Sequence, residues 1–140
     1  MIDPQALAES VVAHMLDGDA FTRSLGMELL EIAPRRAVLR LTVRPDMVNG
    51  FGICHGGVTF SLADSALAFA SNSHGNLTVS IENSIGYAAA ANVGDVLTAR
   101  CEAESTGRRV SFYRVAVVNQ KGEPVAHFRG TVYDTGRPHQ

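Results

Sequence analysis

Apolar residues follow two different patterns along this chain of 140 residues. In residues 58–73 they are nearly continuous, and a single ionisable side chain, Asp64, interrupts them. The length of this run and its Ala and Leu content favour a helix over a strand. A helix that is apolar almost all round is buried, and the run is too short and too rich in Ser and Asn for a membrane span. The pattern therefore predicts a helix in the middle of a protein core.

Alternation of apolar and polar residues predicts strands on both sides of this helix. Two strands are expected before it, at residues 27–33 and 37–44, joined by a turn. Four are expected after it, at residues 77–87, 96–106, 110–119 and 125–133. In the first of these four, one face is predicted to hold Leu77, Val79, Ile81, Asn83, Ile85 and Tyr87.

The two ends of the chain are predicted to be peripheral to this body. Residues 1–26 are expected to form two helices, the first capped by Asp3 with Pro4 at its first position. Residues 134–140 are expected to be a frayed tail. The whole chain is thus predicted to be one α+β domain, in which an antiparallel sheet curves around the central helix because that helix has no polar face.

Composition and charge narrow the possible functions. The formal net charge is −2, which argues against nucleic acid as the main partner. The first residues lack a basic and then apolar leader, so a cytoplasmic location without a membrane partner is expected. Cys54 and Cys101 lack the spacing of a disulfide framework or a zinc site, and the five histidines form no HxxxH pair. Neither a metal nor another cofactor is therefore expected.

Asp64 is the first candidate for chemistry. An ionised carboxylate in an apolar helix must be paired or hydrogen-bonded, or its pKa rises. Alternatively, Asp64 bonds to Ser61 or to a backbone amide for structural reasons alone. The preceding turn favours chemistry, because Gly56 and Gly57 open the helix and present free N–H groups at its positive end. Such a site suits an oxyanion.

The motifs NG, CHGG and FSLAD within residues 49–64 resemble the phenylacetic-acid-degradation (PaaI-like) branch of the acyl-CoA thioesterases. The layout resembles the hotdog fold, a curved antiparallel sheet of about six strands wrapped around one long central helix. The likeness covers roughly residues 21–132 and includes VNQ at 118–120 and FRG at 128–130. It implies hydrolysis of acyl-CoA thioesters, with phenylacetyl-type acyl groups inferred from the family alone.

The resemblance also implies roles for individual residues. In that family the helix carboxylate is the nucleophile or general base, and a backbone amide beside the His-Gly-Gly turn polarises the thioester carbonyl. By position these are Asp64 and Gly56. Supporting polar roles fall to His55, Asn49 and Ser65. The substrate is expected to contact Gly57. An acyl pocket is expected to be lined by Phe51, Ile53 and Tyr87, although these three could equally be core residues.

One departure from the family concerns coenzyme A. Family members commonly carry a basic residue and a proline after the third strand, where this chain has four alanines at residues 88–91. If that basic group contacts the phosphates, this chain must use other arginines. The candidates are Arg108, Arg109 and Arg129, each of which could equally be a solvated surface charge.

Helix geometry predicts a shared site. Asp64 follows Gly56 by eight residues, which is roughly 12 Å along a helix axis. Both groups must approach one carbonyl to within about 3 to 4 Å. We therefore expect the turn of one subunit to face Asp64 of another, so that at least a homodimer is required. The resemblance implies third strands that pair across a two-fold axis and dimers that associate into homotetramers.

Three alternative functions are weighed against this one. Cys54 and His55 could be a thiol nucleophile and its base, although adjacent loop residues seldom orient that way. A hotdog enoyl-CoA hydratase would carry a helical Asp that is closely followed by a His, and this chain lacks that pair. A non-catalytic acyl-CoA-binding protein would need an output or DNA-binding segment, and the sequence suggests none.

Overall fold

A computed structural model describes residues 2–139 of the chain. Its helices are α1 (Pro4–Gly18), α2 (Ala20–Ser24) and α3 (Gly56–Asn72), and a 3₁₀ turn covers Pro45–Met47. Its strands are β1 (Glu28–Ala33), β2 (Arg36–Thr42), β3 (Asn76–Tyr87), β4 (Val96–Thr106), β5 (Val110–Val118) and β6 (Pro124–Pro138). None of the helices in this part of the chain is both long and apolar enough to cross a membrane.

The strands form one antiparallel sheet in the order β1-β2-β4-β5-β6-β3. Helix α3 packs against all six strands. Its side chains Leu62, Leu67 and Phe69 are fully buried, and burying each contributes about 1.5 to 3 kcal/mol. The predicted α+β architecture, a sheet of six strands around one long helix, is confirmed. The sheet order leaves β3 at an edge, although it directly follows α3 in the chain.

Strand β3 does not keep the predicted alternation. Ser80 pairs with Val132 and Glu82 with Thr131, so Ile81 is an extra residue that forms a β-bulge. Side chains change faces at this bulge. The prediction of one continuous apolar face was therefore wrong: Leu77, Val79 and Ile81 are exposed, whereas Asn83 and Ile85 point towards α3 and the core.

The end of the chain is also more ordered than predicted. Strand β6 continues to Pro138, which pairs with Asn76, and the His139 N–H donates to the Gly75 carbonyl over 2.8 Å. Asp134 accepts hydrogen bonds at the same place, 3.0 Å from His74 Nε2. The prediction of a frayed tail over residues 134–140 was wrong as far as residue 139, because the long edge strand β3 offers these residues a partner. Gln140 lies outside the described residues.

Candidate active site

The turn before α3 is held by its own polar groups. The Asn49 side-chain carbonyl accepts the Phe51 N–H over 2.9 Å, and the Asn49 backbone carbonyl accepts the Gly52 N–H over 3.0 Å. Gly52 has φ +78°, in the left-handed region where a glycine is unstrained. His55 is the N-cap of α3, and its Nδ1 accepts the Gly57 N–H over 2.9 Å. Asn49 and His55, which were predicted to be supporting polar groups, thus fix the backbone of the turn in this structure.

The Gly56 N–H is left free by this arrangement. The His55 carbonyl accepts the Val58 N–H over 2.9 Å, and the Gly56 carbonyl accepts the Tyr87 hydroxyl over 2.7 Å. Within residues 2–139 the Gly56 N–H donates to no protein acceptor. As the first residue of α3, it also lies at the positive end of the helix dipole. The peptides on both sides are fixed, so this donor keeps one direction.

A cavity of about 360 Å³ adjoins this donor, and we call it the Gly56 cavity. Its lining includes Asn49, Gly56 and Tyr87 as well as Ile53 and the four alanines at residues 88–91. A Cβ atom on residue 56 would come within 2.8 Å of the Tyr87 hydroxyl, so a side chain there would displace the ring or the turn. Phe51, predicted to bind the acyl group, lies outside the cavity with 90% of its surface exposed.

Asp64 lies in a second cavity, between α3 and the edge of the sheet. This Asp64 cavity has a volume of about 230 Å³, and its lining is Asp64, Leu67, Ala68, Ser71, Thr78, Val79, Ser80 and Val132. Burial raises the pKa of Asp64 above its ordinary value, a hydrogen bond from Asn83 opposes that rise, and the charge of Asp19 adds to it. The cavity therefore holds a partly desolvated carboxylate, as expected of a group that takes part in chemistry.

Asn83 is a neighbour of Asp64 that the sequence pattern did not single out. Its Nδ2 donates to Asp64 Oδ1 over 3.1 Å, and its Oδ1 accepts the Ser80 hydroxyl over 2.7 Å. The only sequence feature that pointed to Asn83 was its position as a single amide among alternating apolar residues of β3. That signal alone does not say what the amide contacts.

The two cavities have no lining residue in common. Gly56 opens α3, whereas Asp64 lies two turns further along the same helix. A single protomer therefore does not bring the free N–H and the carboxylate to one cavity.

Ser65 lies outside both cavities. Its buried hydroxyl is 2.8 Å from the Thr22 hydroxyl, which in turn donates to Asp19 over 2.7 Å. Ser65 therefore links α3 to α2, and its hydroxyl is directed to Thr22 rather than into the Asp64 cavity. Gly57 also lines neither cavity, and its N–H is taken by His55.

The three candidate arginines are exposed and lie outside both cavities. Arg129 is 3.0 Å from Glu104, on the outer side of the sheet. Arg108 and Arg109 lie in the turn between β4 and β5, and within residues 2–139 neither forms an ion pair. These two are the better candidates for contact with an anion, because Arg129 already has a carboxylate partner.

The geometry does not support Cys54 and His55 as a nucleophile and its base. Cys54 is only 7% exposed, and burial raises the pKa of its thiol. Its Sγ lies 3.6 Å from the His55 backbone carbonyl, while the imidazole Nδ1 holds the Gly57 N–H. A thiol of this kind stays protonated and lacks the base that would activate it.

Comparisons with known proteins agree with the resemblance. Residues 51–126 match the profile of the thioesterase superfamily. The acyl-coenzyme A thioesterase PaaI of Escherichia coli is 38% identical over 125 residues, which cover 89% of this chain and 89% of that protein.

Solved structures extend the likeness to the whole fold. The structure of the E. coli PaaI protein from the phenylacetic acid degradation operon has a TM-score of 0.95 and 34% identity, covering 97% of this chain and 99% of that one. A hypothetical thioesterase from Streptococcus pneumoniae, solved with coenzyme A, has a TM-score of 0.77 and 29% identity, covering 81% of this chain and 91% of that one.

Proposed function

This chain belongs to the thioesterase superfamily and is a PaaI-like acyl-CoA thioesterase of the hotdog fold, and we propose that Asp64 and the Gly56 amide of two different subunits carry out its reaction. Asp64 acts as nucleophile or general base, and the Gly56 N–H donates to the developing oxyanion. The observation that carries this proposal is that one buried helix bears both a half-buried carboxylate and a free N–H of fixed direction.

The chemistry needs one base and one oxyanion donor. Asp64 removes a proton from water as the oxygen attacks the thioester carbon, or attacks that carbon itself to give an anhydride that water then cleaves. The carbonyl oxygen gains the negative charge and accepts the Gly56 N–H. When water attacks, the C–S bond then breaks and the coenzyme A thiolate takes up the proton held by Asp64. When Asp64 attacks, breakage of the C–S bond gives the anhydride, and the thiolate takes up a proton released as water cleaves that anhydride. Loss of one such donor typically costs about 3 to 4 kcal/mol of barrier.

The separation of the two groups supports a site shared between subunits. Eight residues of helix put them roughly 12 Å apart along the axis, and each faces its own cavity. Strand β3 is an edge strand that exposes Leu77, Val79 and Ile81 by 39%, 46% and 58%. An apolar edge of this kind suits pairing with a second copy. We propose a homodimer across β3, with association into a homotetramer as in the family resemblance.

The proposed substrates are acyl-CoAs with an aromatic, phenylacetyl-type acyl group. Support comes from the E. coli relative of the phenylacetic acid degradation operon. Coenzyme A binding is supported by the S. pneumoniae structure. Arg108 and Arg109 are the proposed contacts of the phosphates, because they have no carboxylate partner among residues 2–139. Hydrolysis rates on aromatic, short and long acyl-CoAs test this specificity.

Asp64→Asn tests the carboxylate. We expect its kcat on phenylacetyl-CoA to fall by at least about a thousandfold, because an amide can neither attack nor take a proton. Asp17→Asn is the matched control, since Asp17 is exposed on α1 and lines neither cavity. Circular dichroism checks the fold of both variants. A fully active Asp64→Asn enzyme would refute the proposed role.

Mixed dimers test whether the site is shared. If each site takes its turn from one chain and its carboxylate from the other, a dimer of Asp64→Asn and Gly56→Ala chains holds one intact site. Random assortment of equal amounts then restores about a quarter of wild-type activity from two nearly inactive parents. Co-expression of the two chains with different tags provides the mixed dimer. Sites confined to single chains would show no recovery.

A further inference from the structure

The β-bulge at Ile81 determines which side chain meets Asp64. Without the extra residue, strict alternation would leave Ser80 and Asn83 on opposite faces of β3. With it, both lie on the side of the Asp64 cavity, and their side chains form a 2.7 Å hydrogen bond. Bulges often re-aim a side chain next to an active site.

The orientation of the Asn83 amide is set by Asp64 and supported by Ser80. A carboxylate only accepts hydrogen bonds, so the amide nitrogen must face Asp64 Oδ1, 3.1 Å away. The Ser80 hydroxyl then donates to the amide oxygen on the other side. The contact with Asp64 requires this orientation of the amide, and the Ser80 hydroxyl, which can donate or accept, supports it as a donor.

Space for this amide is provided by the neighbouring strand. Gly130 on β6 is paired with Asn83, and a Cβ atom there would come within 3.0 Å of Asn83 Oδ1 and would overlap Leu67. Any larger residue at position 130 would displace the amide or the helix side chain beneath it. The absence of a side chain at Gly130 thus belongs to the arrangement around Asp64.

We propose that Asn83, oriented by Ser80, is a positioning residue that holds one oxygen of Asp64 and leaves the other free to face the substrate. This inference rests on the proposed role of Asp64. The amide also stabilises the ionised carboxylate, which burial and the charge of Asp19 at the start of α2 both disfavour. The side chains that line the cavity from β3 and β6 are uncharged, namely Thr78, Val79, Ser80 and Val132.

Asn83→Leu tests this inference with a side chain of similar size that cannot donate. At neutral pH we expect kcat to fall by roughly tenfold or more, because a hydrogen bond to a charged group is lost. The acid limb of the pH profile of kcat should move to higher pH, since the ionised form of Asp64 has lost its donor. A ¹³C NMR titration of the Asp64 carboxyl measures the same shift without relying on activity.

Two further variants keep the test decisive. Ser80→Ala removes the hydrogen bond to the Asn83 amide but leaves the amide in place. We expect the pKa of Asp64 and the acid limb to shift in the same direction as in Asn83→Leu, but by less. This variant also provides the test if Asn83→Leu does not fold. Ser84→Ala is the matched control, because Ser84 lies on the opposite face of β3 and should change neither readout. Unchanged titration and kcat in Asn83→Leu and Ser80→Ala would overturn the inference, even if an inactive Asp64→Asn enzyme upheld the proposed function.

Discussion

The two halves of the proposed site present their chemistry in opposite ways. The Gly56 half uses a main-chain N–H at a helix end. Hydrogen bonds that Tyr87 and Val58 donate and that His55 accepts fix the peptides around it. The Asp64 half uses a side chain two turns into the same helix, with a pKa raised by burial. An N–H of the backbone does not titrate, so its strength depends on geometry. A carboxylate does titrate, so its strength depends on both geometry and solvation.

This difference makes the two halves vulnerable to different changes. Added bulk should disable the Gly56 half without altering the pH dependence of the reaction. Changes in hydrogen bonding or solvation should alter the pH dependence that Asp64 imposes, as in the Asn83 variants.

Gly56→Ala is expected to have the largest effect on the backbone half. Its Cβ would lie 2.8 Å from the Tyr87 hydroxyl and 3.0 Å from the ring carbon that bears it, so the turn or the ring must move. We expect kcat to fall by roughly a hundredfold to a thousandfold, as when an oxyanion donor is displaced, with an unchanged acid limb. Steady-state kinetics across pH measures both.

Gly50→Ala is the matched control for this variant. It lies in the same turn, and a Cβ there would meet no atom within 4 Å. We expect near wild-type kinetics. Equal activity of Gly56→Ala and Gly50→Ala would remove the Gly56 amide from the mechanism.

The ionisation of Asp64 is also expected to affect the free energy of unfolding, to a smaller extent. The Gly56 half has no such effect because its N–H does not titrate. Because the pKa of folded Asp64 lies above its ordinary value of 3.8, the folded chain binds a proton more readily than the unfolded chain. The contribution of Asp64 to stability is therefore largest at low pH and is lost as the pH rises through the interval between the two pKa values. At neutral pH the ionised carboxylate destabilises the fold.

Replacing this carboxylate should accordingly stabilise the protein. We expect Asp64→Asn to have a higher Tm than the wild type at pH 7, with a difference that shrinks as the pH approaches 3.8. Thermal unfolding at several pH values measures it, with Asp17→Asn as the exposed control. A lower Tm for Asp64→Asn at pH 7 would mean that hydrogen bonding to the carboxylate outweighs its desolvation.

The backbone half was predictable from the sequence because its determinants are local. A glycine pair before an apolar run predicted both the start of α3 and the free N–H at its first residue. The burial of α3 and its position under six strands follow from the absence of a polar face, and Asp64 was identified as the one carboxylate in that helix.

The surroundings of Asp64 were less predictable because they depend on distant pairings. The bulge at Ile81 exists only in the register between β3 and β6, so alternation within β3 alone placed Asn83 on one face with Leu77 and Val79, from which the bulge separates it. Ser65 follows Asp64 directly, yet its side chain turns to Thr22, a contact across 43 positions of sequence. The order of residues 134–139 likewise depends on β3, not on their own composition.

Cys54→Ala should have the smallest effect and separates the proposed mechanism from a thiol mechanism. Cys54 lines the Gly56 cavity, but its buried thiol has a raised pKa and no contact with the His55 ring. We expect kcat within about threefold of wild type, because only a small apolar contact is lost and no proton or covalent step passes through the sulfur. Kinetics on phenylacetyl-CoA, before and after treatment of the wild type with iodoacetamide, measures this. An inactive Cys54→Ala enzyme beside an active Asp64→Asn enzyme would assign the chemistry to the turn alone.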